Sequence, residues 1–474
     1  MAPPVRTIHA KESTLSNPSR PELPRIYASE ALYDRAKRLI PAATQTLAKG
    51  PTQMVGGVAP RFVVRGAGAR VTDVDGNEFL DFNMAIGPLS LGYAHPEVDA
   101  AIRAQLEDGI TFSLVHPLEV EVAELVNEVV PGAEMVRFSK TGADVTSAAI
   151  RLARAFTGRN KVLTCGYHGW HDWYIATTDR HRGIPPEIAA LSHTVGYNDL
   201  ASVDAALDEE TACVILEPMV FEEPKAGFLA ELRALCHARG ALLIFDEMWT
   251  GFRCALGGAQ ERFGVRADLA VFSKAVANGM PLSILTGRAD VMQLCDREVF
   301  FFTTFGGEAL SLAAAKATIE IMRRDDVPAA LDRLGTEIKQ RYAELTTSMG
   351  IEFTKCIGLG CRTLVTFEAK GQAAGQDPLV MKSVMQQELL RHGILWSGFH
   401  NLSAAHTSAD VDQLMLAYRE ALTVLTDAIA RGTVKETLLG TPMEPVFRKV
   451  SGFNTKPKPA PAVAPAHTET TVAR

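Results

Sequence analysis

The sequence contains no uninterrupted apolar run of about 18 residues, the length a membrane-spanning helix needs, which argues against a membrane span. Its opening, MAPPVRTIHAKESTL, has no apolar stretch of signal-peptide length, and Glu12 and Glu22 interrupt the basic residues that a transit peptide would string together. Positive charge is not in excess: 48 Lys+Arg stand against 55 Asp+Glu, a net charge of −7. That balance argues against a sequence-independent nucleic-acid binder or a binder of anionic membranes. Cysteine is sparse and unpatterned. The seven cysteines (165, 213, 236, 254, 295, 356 and 361) are odd in number and none forms a CxxC pair. They read as reduced, buried thiols of a cytoplasmic protein rather than as a disulfide framework or a metal set, with Cys213 and Cys236 in apolar contexts. No internal repeat is visible.

What is present suits a large folded chain. Apolar residues make up 47% and charged residues 22% of the 474 positions, enough to bury a sizeable core. At roughly 150 residues per domain, the length allows about three domains, or one large domain with a smaller satellite. Segment 60–83 alternates, with Asp75-Gly76 between two runs as a hairpin turn. Helices are expected over 96–108, from Val98, Ile102 and Leu106 on one face, and over 117–130, between Pro117 and Pro131-Gly132. Beyond them, short apolar strands alternate with helices: MVRFS (135–139), KVLTC (161–165), ACVILE (212–217), ALLIFD (241–246), LAVFS (269–273) and LSILTG (282–287). Near-continuous Val/Ile/Leu/Phe runs mark strands buried on both faces, the habit of a mostly parallel sheet in an α/β fold. After a long helix over 308–323, residues 330–450 read as a smaller α+β unit, with helices at 328–348, 379–392 and 408–430 and strands within 351–367.

Ligands of open α/β sheets sit beyond the carboxyl ends of the strands. Those ends hold Ser139-Lys140-Thr141-Gly142, Gly166-Tyr167-His168, Glu217-Pro218, Asp246-Glu247 and Ser273-Lys274. A lysine at the end of a buried strand is favoured as the neutral amine, the form that makes a Schiff base with an aldehyde. Lys274 alone would read as a snorkelling surface lysine, but the small, turn-forming AVANGMP after it lets backbone pass close to a ligand. Asp246 at the floor of a cleft needs a cationic partner, and a protonated pyridine nitrogen would serve. By itself it reads as a strand-end acid that caps a helix. Thr141-Gly142-Ala143 open a helix whose free N–H groups suit a phosphate. Tyr167 can stack on a flat ring, or pack in the core. His168 and His171 are three apart, but no convergent acid cluster accompanies them, so no metal site is read.

Together these segments resemble the class III aminotransferases of fold-type I, which use pyridoxal phosphate. The likeness runs over about residues 36–430. It is carried by VTDVDGNEFLDF (71–82), LGYAHPEV (91–98), FSKTGADVTSAAIRLAR (138–154), GYHGWHD (166–172), IFDEMWTGFR (244–253), FSKAVANGMP (272–281) and TTFGGEALSLAA (303–314). It implies that Lys274 carries the cofactor as a Schiff base and shuttles the proton, and that Asp246 holds the pyridinium charge. It implies further that Tyr167 stacks on the ring, that Met248 packs on the other face, and that Thr141, Gly142 and Ala143 hold the phosphate. Thr304 would join them from the neighbouring subunit, so a homodimer with a shared active site is implied. The chain then divides into a flexible N-terminal arm (1–28), an N-terminal segment of the small domain (29–90), a large cofactor-binding domain (91–329), a C-terminal small domain (330–454) and a disordered Pro/Ala-rich tail (455–474).

Within the family the sequence is most similar to glutamate-1-semialdehyde 2,1-aminomutase and its relatives, and it departs from them around the substrate. Lys49 falls near the place of an arginine that takes the substrate carboxylate, Ile86 replaces an aromatic of the substrate wall, and Ala143 replaces a threonine. The segment 393–407 is about four residues short, with His400 and Asn401 where a glutamate-bearing piece stands. His400 is a candidate substrate contact or a structural loop residue. These departures point to an aminotransferase that moves an amino group from an amino acid donor, glutamate, to an aldehyde or ketone. The acceptor would be a sugar-like or secondary-metabolite intermediate. An intramolecular aminomutase and a catalytically silent scaffold on the same fold are the alternatives.

Overall fold

The computed structural model describes residues 20–445. The first nineteen residues of the expected arm and the whole expected tail, 455–474, lie outside the described residues.

The chain enters through a helix, Tyr27–Leu39. Three short strands follow, β1 (Val63–Ala67), β2 (Arg70–Asp73) and β3 (Glu78–Asp81), paired antiparallel in that order. The turn between β2 and β3 is the one expected at Asp75-Gly76. Asp73 accepts the N–H groups of Asp75 (3.0 Å) and Asn77 (2.8 Å), and Gly76 takes φ +88°, where a side chain would be strained. Asp75 also reaches back to the first helix, accepting from Ala28 N at 2.6 Å and Ser29 N at 2.8 Å.

The largest sheet has seven strands: β4 (Met135–Ser139), β5 (Lys161–Cys165), β6 (Ser192–Thr194), β7 (Thr211–Leu216), β8 (Leu242–Asp246), β9 (Leu269–Phe272) and β10 (Ser283–Gly287). Their order is β4-β10-β9-β8-β7-β5-β6. Neighbours from β9 through β6 are parallel, while β10 runs against both β9 and β4. The link from β9 to β10 explains the reversal, because it is too short to hold the dozen or more residues of a helical crossover. Every residue of β7, β8 and β9 is buried. The helix Gly142–Thr157 covers one face of this sheet, packing Val145, Ala149 and Leu152 against Ile215, Ile244 and Val271.

The helices Ala309–Arg324 and Val327–Ser348 lead to the last third of the chain, broken between them by Asp326 at φ +47°. There β11 (Thr354–Leu359) and β12 (Arg362–Phe367) form a hairpin, the helix Pro378–Arg391 follows, and β13 (Ile394–Leu395) joins β3 in parallel. After it β14 (Phe399–Asn401) pairs antiparallel with β12, and Thr407 and Asp410 form a reciprocal cap on the helix Ser408–Arg431. The first and last parts of the chain therefore share one sheet. Residues 20–28 are not a free arm. The buried Glu388 requires cationic partners, and Arg20 supplies one (Nε to Oε2 2.9 Å) beside Arg391, which also donates to Pro21 O. All seven cysteines are free, and all but Cys356 are buried, Cys213 and Cys236 among them. No helix among the described residues is long and apolar enough to cross a membrane.

Candidate active site

Register brings the site together. Cys165 pairs with Leu216, Leu216 with Phe245, and Asp246 with Val271, so the carboxyl ends of β5, β7, β8 and β9 lie side by side. Just beyond them stand Tyr167 and His168, Glu217, Asp246 and Lys274.

Asp246 is fully buried. One carboxylate oxygen accepts from Met248 N at 3.1 Å, and the other lies 2.8 Å from His168 Nδ1. These two contacts fix the direction of the buried carboxylate, and a buried acid calls for a cationic partner. The partnership with His168 was not assigned from sequence, although the histidine stands inside the GYHGWHD turn. Glu217 accepts the N–H of Tyr167 at 2.9 Å, and burial together with the charge of Asp246 pushes its carboxyl upward from the usual carboxylate range.

Lys274 opens a single tight turn, Lys274–Ala277, at φ +46°, a left-handed conformation that costs a non-glycine residue on the order of 1–3 kcal/mol. Its ammonium makes no hydrogen bond or ion pair with any described residue. Burial, and then the cation of Arg362, lowers its amine from the usual value of 10.5. A lowered amine with no ion-pair partner among the described residues suits a nucleophilic lysine.

The turn after β4 is built for an anion. Thr141 caps the helix Gly142–Thr157 and Asp144 returns the bond to Thr141 N at 2.8 Å, while Ser139 Oγ also donates to Asp144. The N–H groups of Gly142 and Ala143 belong to the first turn, which a helix leaves without internal partners. Space around it is tight: a Cβ at Gly142 would come within 2.7 Å of Met248 Sδ, and one at Gly169 within 2.8 Å of Ala143 Cβ. Met248 thus lies against the phosphate turn and beside Asp246. Tyr167 keeps 43% of its surface exposed, with its edge against Tyr174 at 5.4 Å between centroids. A lysine without a partner, a buried acid backed by a histidine, an accessible aromatic ring and a helix start that only glycine admits fit pyridoxal phosphate.

The remaining expected residues are placed differently. Thr304 lies on an exposed turn between Phe302 and Phe305, also exposed, and makes no hydrogen bond to the other site residues. Lys49 is exposed on the short turn Leu47–Lys49, which lies against the turn Met84–Ile86. In that second turn Met84, Ala85 and Ile86 all take positive φ (42°, 53° and 69°), and Ile86 is partly buried. His400 is corrected: it is fully buried, its Nδ1 is 2.7 Å from Thr363 Oγ1 and its Nε2 is 2.7 Å from Tyr418 Oη. Burial drives its pKa down to about 3, so the ring is neutral and both nitrogens are occupied, with none left for a substrate. Two arginines were not foreseen as site residues. Arg253, fully buried, ties the segment after β8 to Gly87 O, Ser90 Oγ, Cys361 O and Leu402 O. Arg362, at the start of β12, lies over Phe399 and Trp249. No group of three or more His, Cys, Asp or Glu among the described residues could hold a metal.

Residues 53–409 match the family model for aminotransferase class III. The chain belongs to the class III aminotransferase family. It is an enzyme of that family, and its cofactor is pyridoxal phosphate. The 3-aminobutyryl-CoA aminotransferase of Cloacimonas acidaminovorans is 37% identical over 410 residues, covering 83% of this chain and 96% of that protein. The glutamate-1-semialdehyde 2,1-aminomutase of Sorangium cellulosum is 35% identical over 449 residues, covering 86% and 99%. Among solved structures, the FumI protein of Sphingopyxis sp. MTA144 superposes with a TM-score of 0.78 at 30% identity, over 85% of this chain and 97% of that one. An omega-transaminase from Sphaerobacter thermophilus gives 0.75 at 25%, over 84% and 97%. The fold is fold-type I, as the class III aminotransferase likeness implied.

Proposed function

We propose that this aminotransferase takes an amino group from an amino acid donor, glutamate, and delivers it to an aldehyde or ketone in two half-reactions at one site. The observation that carries the reading is the unpaired, strained Lys274 beside the buried Asp246–His168 pair. Pyridoxal phosphate, when bound, supplies the electron sink for the bond broken at the amino-bearing carbon. The chain's own residues do the rest. Lys274 Nζ would hold the cofactor and carry the proton, Asp246 would meet the charge of the ring nitrogen, and Tyr167 and Met248 would pack against the ring. Thr141 and the N–H groups of Gly142 and Ala143 would hold the phosphate.

The working unit is a homodimer in the cytoplasm. The exposed Phe302 and Phe305 around Thr304, with Ile110 and Phe112 nearby through the bond from Ala309 N to Ile110 O, support a partner covering that face, with Thr304 completing the neighbouring site. Free, mostly buried thiols suit a reducing compartment.

The test is a visible spectrum of the loaded protein before and after glutamate alone. Loss of the yellow colour with one equivalent of 2-oxo acid formed per site is expected. A yellow protein unmoved by glutamate but turning over glutamate-1-semialdehyde without a second substrate would put the aminomutase reading, suggested by the Sorangium cellulosum relative, in its place.

A further inference from the structure

The residues proposed to hold the cofactor leave Arg362 without a role. It begins β12, and its guanidinium carbon lies 4.7 Å from the centre of the Phe399 ring, 4.9 Å from that of Trp249 and 5.9 Å from that of Phe221. Three rings and partial burial remove water from the cation, and aromatic faces offset only part of that cost. Its single hydrogen bond to a described residue runs from Nε to Asn401 Oδ1 at 3.1 Å. Asn401 is itself fixed, because its Nδ2 donates to Asn83 O and its N to Phe82 O. The bond at Nε sets the plane of the guanidinium and leaves the distal fork, Nη1 and Nη2, without a protein acceptor among the described residues.

No carboxylate of the described residues stands within ion-pair distance of that fork. Glu217 is the acid whose charge Arg362 feels, but it makes no ion pair or hydrogen bond with the arginine. Arg362 also stands close enough to Lys274 for its charge to be the strongest influence on that amine after burial. A planar fork with fixed orientation, short of an anion and near the lysine, is the geometry that recognises a carboxylate through two parallel N–H···O bonds. Lys49, exposed on its turn, offers only a mobile point charge.

We propose that Arg362 is the specificity-determining residue that takes the carboxylate of the amino acid donor, a proposal that rests on the amino-transfer reading above. The three rings around it then line the start of the substrate's carbon chain.

The experiment compares the loaded wild type with Arg362→Gln and Arg362→Lys, using glutamate as donor and glutarate, which carries carboxylates but no amine, as a binding probe read by its change of the cofactor absorption. Glutarate is expected to compete with glutamate in the wild type. Arg362→Gln should weaken glutarate and raise the KM for glutamate by at least about ten-fold, with kcat changed less, and Arg362→Lys should fall between because it keeps the charge and loses the fork. A folded, fully loaded Arg362→Gln protein with wild-type glutarate affinity and wild-type KM overturns the proposal. Should the glutamine variant not fold, unchanged glutarate affinity in Arg362→Lys overturns it equally. A wild type that binds glutarate through Arg362 yet accepts no amino group from any amino acid removes the amino-transfer reading and leaves the anion site standing.

Discussion

His168 Nδ1 lies 2.8 Å from Asp246 Oδ2, and neither side chain has any exposed surface. The two residues come from the ends of β5 and β8, with β7 between them, so the contact is made by the loop after β5 reaching over its neighbour. The histidine donates to the carboxylate and fixes its direction, which in the role proposed for Asp246 would aim it at the ring nitrogen of the cofactor. His168→Phe removes that donor without adding water. Loss of one buried hydrogen bond to a charged group is worth about 1.5–3 kcal/mol, which corresponds to roughly 10–100-fold. The expected outcome is weaker retention of pyridoxal phosphate on dialysis and slower transfer by that factor. Equal retention and rate would mean that Met248 N alone suffices to hold Asp246.

Lys274 gives a pH dependence with a definite sign. Burial and the Arg362 cation lower its amine from 10.5, while Glu217 and Asp246 act in the opposite direction. The neutral amine is the form that attacks an aldehyde, so the rate at which cofactor-free protein takes up pyridoxal phosphate should rise with pH. It should level off below the pH where an ordinary lysine would. Arg362→Gln removes a neighbouring positive charge and should shift the curve to higher pH, whereas Glu217→Gln should shift it lower. Stopped-flow absorbance across a pH series reads all three proteins. Curves that coincide would show that burial alone sets the amine.

The strand ends that carry the candidate site were legible because the buried strands are mostly apolar, and a charged or glycine-rich turn then breaks the pattern. Asp246, Lys274 and the Thr141–Ala143 turn sit where those breaks fall. What escaped depended on contacts remote in sequence. The helix Tyr27–Leu39 has no capping side chain of its own at Ile26, and its cap is Asp75 of the later hairpin, so no local start signal existed. His400 resembled a substrate contact because Thr363 and Tyr418, which occupy its nitrogens, come from another strand and from the helix Ser408–Arg431. Arg362 stood inside an ordinary alternating strand, and only the pairing of β12 with β14 brings it to Asn401 and the cleft.

Gly169 tests the phosphate turn from outside it. The glycine takes φ +103°, and a Cβ there would lie 2.8 Å from Ala143 Cβ and 3.0 Å from Ala143 Cα. Neither neighbour can rotate away, since one is backbone and the other a methyl fixed to it. Gly169→Ala should therefore push the first turn of the helix Gly142–Thr157 and spread the N–H groups proposed to hold the phosphate. The expected result is at least about a ten-fold loss of affinity for pyridoxal phosphate, the size of one charge-assisted hydrogen bond. Affinity for pyridoxal, which has no phosphate, should change much less. Equilibrium dialysis with both ligands makes the comparison, and equal losses for the two would place the damage elsewhere than the phosphate turn.

Arg253 tests how the site is kept in one piece. The residue is only 1% exposed and its guanidinium has no carboxylate partner among the described residues; it donates instead to Gly87 O (2.7 Å), Ser90 Oγ (2.8 Å), Leu402 O (2.9 Å) and Cys361 O (3.2 Å). Those acceptors belong to the wall turn after Ile86, the hairpin of β11 and β12, and the segment after β14, while Arg253 itself follows the strand end that carries Asp246. One side chain thus pins the last third of the chain to the segment after β8, and burial lowers its pKa to about 10, still high enough to keep it charged at neutral pH. Arg253→Met fills similar space but leaves four buried acceptors without a donor, each worth about 1–3 kcal/mol when orphaned. Even after water enters to satisfy some of them, the stability should fall by about 3 kcal/mol or more, seen as a lower denaturant midpoint. Because the wall turn and Arg362 hang on the same anchor, the KM for glutamate should rise in the folded protein as well. A wild-type midpoint would show that the pairing of β3 with β13 holds these parts together without the arginine.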